Sequence, residues 1–275
     1  MKPKVSAIIP CYNDGAYIEK AVASVLGSDV DIFELIVVDD GSDQLTKSHL
    51  NKIQTEKVKI IHQENKGVSA ARNKGIAEAE GEYILLLDAD DKFAPSFLGK
   101  AIQILENNAD AGAVSCWYNI VENEKVIKQA KPKGGKIEDF MFTNSSMVSS
   151  LLRKKCWEDA GRFDESMLAG YEDWEFWISV TKKGWEVRII EEYLYDYFNK
   201  PGSRNKKAAK QDLEIKAYIF KKHKDLYVGR YSDLLEYFNR ALELKEREKQ
   251  RLRSTIDFKL GASILRPLRF LKRIF

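Results

Sequence analysis

The sequence predicts an α/β fold, a mostly parallel sheet flanked by helices and followed by a helical C-terminal extension. Three observations lead there. Four short Val- and Ile-rich runs, 5–9, 35–38, 58–61 and 83–87, recur through the first hundred residues. Continuous apolar runs of that length suit strands buried on both faces. The segments between them, 17–26, 43–53 and 68–79, carry apolar residues at helical spacing, so strand and helix alternate as in βαβ units. From 208 onward the pattern is helical only.

The elements follow in order. In such a sheet the loops at the carboxyl ends of the strands carry the site, so chemistry is expected just after residues 9, 38 and 87. The third helix stops before Gly81. A helix over 95–106 opens with Pro95, whose fixed φ suits a first turn. Strands over 113–118 and 125–129 follow around a polar turn, and 131–144, with Gly134 and Gly135, reads as a mobile loop. That loop is either a cover for the site or a plain connector. A short helix around Trp157 leads to Gly161, an amphipathic helix spans 172–183, and 193–198 is the last strand. The charge-dense stretch 243–253 is solvated or self-associating. The expected division is a sheet domain over 1–205, a helical extension over 206–257 and a basic tail over 258–275.

Composition bounds the function classes. With 275 residues, 44% hydrophobic and 32% charged, the chain is expected to be a soluble globule. Cys11, Cys116 and Cys156 are odd in number and widely spaced, which fits a reducing compartment better than a disulfide framework or a zinc knuckle. Pro10, Asn13 and Asp14 interrupt the N-terminal apolar run, so no signal peptide is expected, and no run approaches the roughly 18 residues of a spanning helix. The net charge is +3, but the last eighteen residues hold five bases and no acid, leaving 40 basic against 42 acidic residues before them. The body therefore makes no case for nucleic-acid binding.

The strand ends carry the chemistry. The first loop reads Pro10-Cys11-Tyr12-Asn13-Asp14 and the second strand ends in Asp39-Asp40-Gly41-Ser42. An aromatic ring beside a carboxylate suits a uracil-like base, which is stacked by one and hydrogen-bonded by the other. Asp40-Gly41-Ser42 also reads as an ordinary turn and helix cap. Arg72 falls in the first turns of a helix, where N–H groups and a guanidinium favour an anion; it also reads as a plain surface arginine. Asp88, Asp90 and Asp91 crowd the end of the fourth strand, and their repulsion is relieved by a divalent cation bridging to a diphosphate, or by solvent alone.

Tyr12-Asn13, Val38-Asp39-Asp40-Gly41-Ser42, Ala71-Arg72-Asn73 and Asp88-Ala89-Asp90 resemble, in order and spacing, the inverting GT-A-fold glycosyltransferases of the large bacterial family 2. The likeness covers about residues 4–200. It extends to Gly161-Arg162-Phe163-Asp164-Glu165 and Gly170-Tyr171-Glu172-Asp173-Trp174, similar to the segment holding that family's catalytic base. The resemblance implies a GT-A-type, Rossmann-like sheet, a nucleotide-diphosphate sugar donor, a divalent Mn²⁺ or Mg²⁺, and inversion at the anomeric carbon. Carried over, Pro10, Tyr12 and Asp40 meet the base, Arg72 lies beside the nucleotide, Asp88 holds the ribose or the metal shell, and Asp90 binds the metal, with Asp91 in reserve. Asp173 is the general base, with Glu172 as its alternative; both also read as acids in the first turn of a helix. Trp174 lines the acceptor pocket or joins the core, and Trp177 belongs to the core.

One stretch departs from the pattern. Where many relatives carry Arg or His after the last strand, 197–204 holds no histidine, leaving Lys200 or Arg204 for the phosphates. The Q-x-x-R-W motif and membrane helices of processive synthases are absent, so one sugar is expected per turnover. His49, His62 and His223 show no ligand spacing, and Cys11 reads as a packed residue. In the tail, Arg266, Arg269, Lys272 and Arg273 alternate with Leu, Ile and Phe. This suits an amphipathic segment on an anionic membrane surface, or a helix packing on the domain or on a second copy in a homodimer. The resulting expectation is a cytoplasmic enzyme, peripheral at the inner face of the membrane, that transfers a UDP-linked hexose or N-acetylhexosamine to a surface glycan, free or lipid-linked. A sugar-nucleotide pyrophosphorylase would need a glycine-rich first loop, which is absent. A catalytically silent scaffold protein that binds the donor is the rival from another class.

Overall fold

The computed structural model describes residues 4–53, 55–200 and 208–261. The first four strands, β1 (Val5–Cys11), β2 (Glu34–Asp40), β3 (Val58–Gln63) and β4 (Tyr83–Leu86), pair in parallel in the order β3-β2-β1-β4. They alternate with α1 (Gly15–Leu26), α2 (Gln44–Leu50) and α3 (Val68–Glu78), as the apolar periodicity requires. Both faces of the sheet are covered. Ala7, Ile9, Val37 and Leu85 join the core formed with α1 and the later helix α4 (Phe97–Asn107), while α3 packs on β1 and β2 from the other side.

α3 lies close to the sheet because its sequence is small-sided. A Cβ on Gly75 would stand 2.5 Å from Ile8 Cγ2, so only glycine admits this approach. The intimacy matters because Arg72 and Asn73 ride on the same helix and are buried with it.

Beyond β4 the sheet becomes mixed. β5 (Lys92–Phe93), β6 (Ala111–Glu122), β7 (Lys125–Ala130), β8 (Ser150–Arg153) and β9 (Glu186–Phe198) complete the path β4-β8-β6-β9-β5, with β7 on β6. β8 runs antiparallel to both β4 and β6, whereas β6 and β9 are parallel. The sequence pattern places only a helix near 151. Four residues, Ser150 to Arg153, are too few to reveal a period, and β8 is a strand because it fills the gap between β4 and β6. β9 starts seven residues before the expected 193 because its first half mixes charged residues with Val187 and Ile190, buried three apart, and so shows no strand period.

The segment expected as a mobile loop, 131–144, is anchored. It contains α5 (Ile137–Phe140), and Gly135 bridges to Val187 through N–H to carbonyl bonds of 2.7 and 3.0 Å in the two directions. α6 (Lys154–Ala160) ends at Gly161 in the left-handed conformation, and α7 (Glu172–Lys182) packs against α5 and α6.

Two compact units divide the chain, Met1–Ile219 and Phe220–Phe275. α8 (Asp212–Lys222) crosses the division, and the second unit holds α9 (Lys224–Gly229) and α10 (Tyr231–Ser254). Within that unit Phe220 packs edge-on to Tyr227 and Phe238, and α10 carries pairs such as Glu243 with Arg247. No helix among the described residues is long and apolar enough to cross a membrane.

Candidate active site

The strand ends form one wall. Tyr12, half exposed at 51%, follows β1, and Asn13 adopts a positive φ of 57° that turns the chain out of the strand. This turn is tied to the next strand end: Asn13 N–H donates to Ser42 Oγ at 3.0 Å and Asn13 Oδ1 accepts from Asp43 N–H at 2.8 Å. Asp39 is buried and accepts from Ser42 N–H and from His62 Nδ1. Asp40 is also buried, and its carboxylate accepts from Gln63 Nε2 (2.7 Å) and from the backbone N–H groups of Lys66 and Gly67 (2.8 and 2.9 Å). Its carboxylate thus closes the turn that launches α3. Burial pushes the Cys11 thiol up to about 12, which keeps it a packed residue.

α3 contributes two buried polar groups with different tasks. The Arg72 guanidinium, fully buried, donates to Asp88 Oδ1 at 2.7 Å and to Glu172 Oε1 at 3.0 Å. Burial works against its charge, but the two carboxylates outweigh that and hold its proton more tightly than usual. Asn73 is a four-way clamp. Its amide donates to Phe163 O and Glu165 Oε1, both at 2.9 Å, and its oxygen accepts from Trp157 Nε1 and Phe163 N–H, both at 3.0 Å. The segment after α6 is thereby pinned to the sheet, nine residues before α7 begins.

The acidic turn after β4 separates into three roles. Asp88, 31% exposed, belongs to the Arg72 bridge. Asp90 faces solvent in part and pairs with Lys200 Nζ at 2.9 Å; that ammonium also reaches Asp14 Oδ1 at 2.5 Å and lies 3.9 Å over the Tyr17 ring. Burial and then the charge of Asp88 push the Asp90 carboxyl up, while Lys200 opposes the shift. Asp91 points inward, accepting from the Tyr195 hydroxyl and from Phe198 N–H at 2.8 Å. It anchors the end of β9 and is not available as the reserve ligand.

No set of three or more His, Cys, Asp or Glu among the described residues is placed to hold an ion. The donor set still fits a hard divalent cation. Asp90 and Asp88 are adjacent, partly accessible carboxylates whose crowding raises Asp90, and Mg²⁺ typically takes one or two carboxylates and completes its shell from phosphates and water.

The opposite wall is the start of α7. Tyr171 sits in the left-handed region (φ 59°), an uncommon conformation for a bulky residue, and its hydroxyl donates to Asp212 at 3.0 Å. Glu172 is buried against Arg72. Asp173 follows, its Oδ1 accepting from Trp174 N–H and its Oδ2 from Asn144 Nδ2, both at 2.8 Å. Burial and then the neighbouring charge of Glu172 push Asp173 up to about 6, with Arg72 and the two donors pulling the other way. Trp174 is buried and its indole N–H donates to Phe140 O at 2.6 Å, so it is a core residue that also faces the cavity.

A cavity of about 680 Å³ joins these walls. Arg72, Asp88, Glu172, Asp173 and Trp174 line it, together with Tyr118, Tyr195 and Tyr197 from β6 and β9, residues 142–144 from the anchored segment and 146–149 between that segment and β8. The structure thus brings five of the sequence-predicted residues to one cavity. Tyr12 and Asp90 lie at neighbouring strand ends, Asp40 and Asp91 turn inward, and Arg204 lies outside the described residues, as do positions 262–275 of the tail. Asn144 and the clamping role of Asn73 escape the sequence reading. The one signal for Asn73 is an asparagine in a helix interior, a position that costs stability unless its amide is employed.

Residues 6–168 match the family model described as Glycosyl transferase family 2. An uncharacterized glycosyltransferase of Methanocaldococcus jannaschii is 31% identical over 211 residues, with 71% of each chain covered. TuaG of Bacillus subtilis, named as a teichuronic acid biosynthesis glycosyltransferase, is 29% identical over 81% of this chain and 90% of its own length. The crystal structure of S. aureus TarS 1-349 in complex with UDP-GlcNAc has a TM-score of 0.62 at 23% identity over 73% of this chain. The chain spans 60% of that solved chain, and the likeness shows a shared fold.

Proposed function

The chain belongs to glycosyl transferase family 2 and is a glycosyltransferase, and from that premise we propose that it moves one sugar from a nucleotide-diphosphate donor to a surface-glycan acceptor with inversion. The observation that carries the reading is that one cavity holds the Arg72–Asp88 pair on one wall and Asp173 on the other. A donor diphosphate near the β4 end and an acceptor hydroxyl near α7 would meet there. A UDP-linked hexose or N-acetylhexosamine is the favoured donor, supported by the shared fold of TarS, which was solved with UDP-GlcNAc. The relative named for teichuronic acid biosynthesis supports a cell-surface glycan acceptor, free or lipid-linked.

Asp173 is the general base in this reading. As the acceptor oxygen attacks the anomeric carbon, its proton passes to the Asp173 carboxylate, the bond from that carbon to the diphosphate oxygen breaks, and the configuration inverts. A carboxyl held near 6 is ionised at neutral pH yet basic enough to accept that proton. Arg72 holds Asp88 and Glu172 in place, so the negative charge beside Asp173 stays balanced. Asp90, with Asp88, would hold Mn²⁺ or Mg²⁺, which when bound supplies electrostatic stabilisation of the leaving diphosphate. Tyr12 would stack on the base, and Lys200 would turn from Asp14 and Asp90 to the phosphates. The catalytic domain is taken as 1–205, and the tail 258–275 as the contact with an anionic membrane at the cytoplasmic face.

The test is a panel of UDP-, GDP- and dTDP-sugars, scored by thermal shift and by nucleotide release. A donor at a hundred times its dissociation constant should stabilise the fold by about 2.7 kcal/mol. Asp173→Asn should then lower turnover by about two to four orders of magnitude with donor affinity unchanged. Undiminished turnover in that variant refutes the assignment of the base, and a fold stabilised by donor without any turnover favours the scaffold reading.

A further inference from the structure

We propose that Asn144 is a positioning residue that holds the Asp173 carboxylate in one orientation toward the acceptor hydroxyl. The proposal rests on the reading of Asp173 as the base. Each Asp173 oxygen accepts one bond, Oδ1 from Trp174 N–H within α7 and Oδ2 from the Asn144 amide, 29 residues earlier in the chain. With a donor on each oxygen, rotation about Cβ–Cγ breaks both bonds, so the remaining lone pairs keep a fixed bearing on the cavity.

The segment around Asn144 is held from several sides. The Trp174 indole donates to Phe140 O at 2.6 Å, Ser145 Oγ donates to Asp139 O at 2.6 Å, and Gly134 N–H donates to Ser145 O at 2.9 Å. Ser146 N–H reaches Asn144 Oδ1 at 3.4 Å, which turns the NH₂ end of the amide toward Asp173. Asn144 is exposed, and what places its amide against Asp173 is the backbone on either side of it, which these bonds fasten to the wall of the cavity.

The electrostatic consequence has a definite sign. Glu172, on the same helix, pushes Asp173 toward its neutral form, and Arg72 from α3 pulls it back. Tyr118 from β6 and Tyr171 face it as phenols raised above their usual range, first by burial. Asp88 and Asp212 on the same cavity are paired with Arg72 and Lys216, and Lys131 lies over the Trp117 ring. An amide N–H donated to the ionised carboxylate adds to the Arg72 side of this balance, and its loss moves the titration of Asp173 upward.

The experiment is a ¹³C NMR titration of aspartate carboxyls in the full-length protein, with Asp173 identified by the resonance missing from Asp173→Asn. Asn144→Ala should raise the Asp173 midpoint by about one pH unit. Asn144→Asp, which keeps the shape but removes the donor and adds a charge, should raise it further, and it carries the test if the alanine variant loosens the segment. With UDP-GlcNAc as the probe and UDP release as the signal, the acid limb of kcat should move by the same amount while donor KM stays constant. A midpoint unmoved in both variants overturns the proposal. Full turnover by Asp173→Asn overturns the reading of Asp173 as the base, and the proposal falls with it even where the NMR midpoint moves.

Discussion

Replacing Asn73 by alanine tests whether the loop that leads to α7 is held by the α3 clamp. The substitution removes four hydrogen bonds of 2.9–3.0 Å at once. Glu165 is exposed, and water replaces its lost partner at little cost. The Trp157 indole N–H and the N–H and carbonyl of Phe163 belong to buried residues and are left without a partner. At about 1 kcal/mol or more for each stranded group, the expected loss is about 3 kcal/mol. For a chain of this size that is a fall in Tm of about 6–12 °C. Urea denaturation followed by tryptophan fluorescence reads it, with the slope unchanged if the denatured state is unaffected. Asn73→Asp separates bonding from shape, since it keeps the acceptor but sets a carboxylate oxygen, which cannot donate, against Phe163 O and Glu165, and it should destabilise at least as much. A loss below about 1 kcal/mol for both variants would falsify the clamp, because two buried donors in the alanine variant, and the Phe163 carbonyl facing a carboxylate in the aspartate variant, would then have been left without cost.

Three further outcomes follow from the same geometry. With Asp173 raised to about 6, its proposed role as a base that acts when ionised puts kcat on a plateau above that pH and makes it fall as pH drops through it; a flat profile down to pH 5 contradicts the assignment. Asp90→Asn should abolish the part of donor affinity that depends on Mn²⁺, measured by calorimetry with UDP-sugar in Mn²⁺ and in EDTA, and equal affinity of the unmutated protein in both would sink the metal reading. Removal of residues 258–275 should shift the protein from anionic vesicles to the supernatant at moderate salt while leaving donor hydrolysis intact; sedimentation of the truncated chain with the vesicles would count against the tail as an anchor.

Much of the fold is legible in one dimension because it is repeated locally. Strands buried on both faces need continuous Val and Ile, their crossover helices need a 3.6-residue period, and both are readable over 5–87 without knowing any neighbour. Asp88 is legible for the same reason, as a polar residue just after an apolar strand; Arg72 stands out by its place in the first turns of a helix, and Glu172 and Asp173 by the family resemblance, and all four line one cavity. What those side chains face is another matter. Asp39 and Asp40 are both buried, Asp40 closing the turn before α3, whereas of the next acidic pair Asp91 anchors β9 and Asp90 stays partly accessible; residue type is the same in all four, and only packing says which carboxylate is wet. β8, too short to show a period, is a strand only because β4 and β6 leave it a place. The contacts of Asn73 with Phe163, 90 residues on, and of Asn144 with Asp173, 29 residues on, have no local signature at all. Residue type, pattern and strand-end position were thus determined by the sequence alone; the partner of each polar group was decided by the tertiary structure, since a hydrogen bond depends on separation in space and the sequence records only separation along the chain.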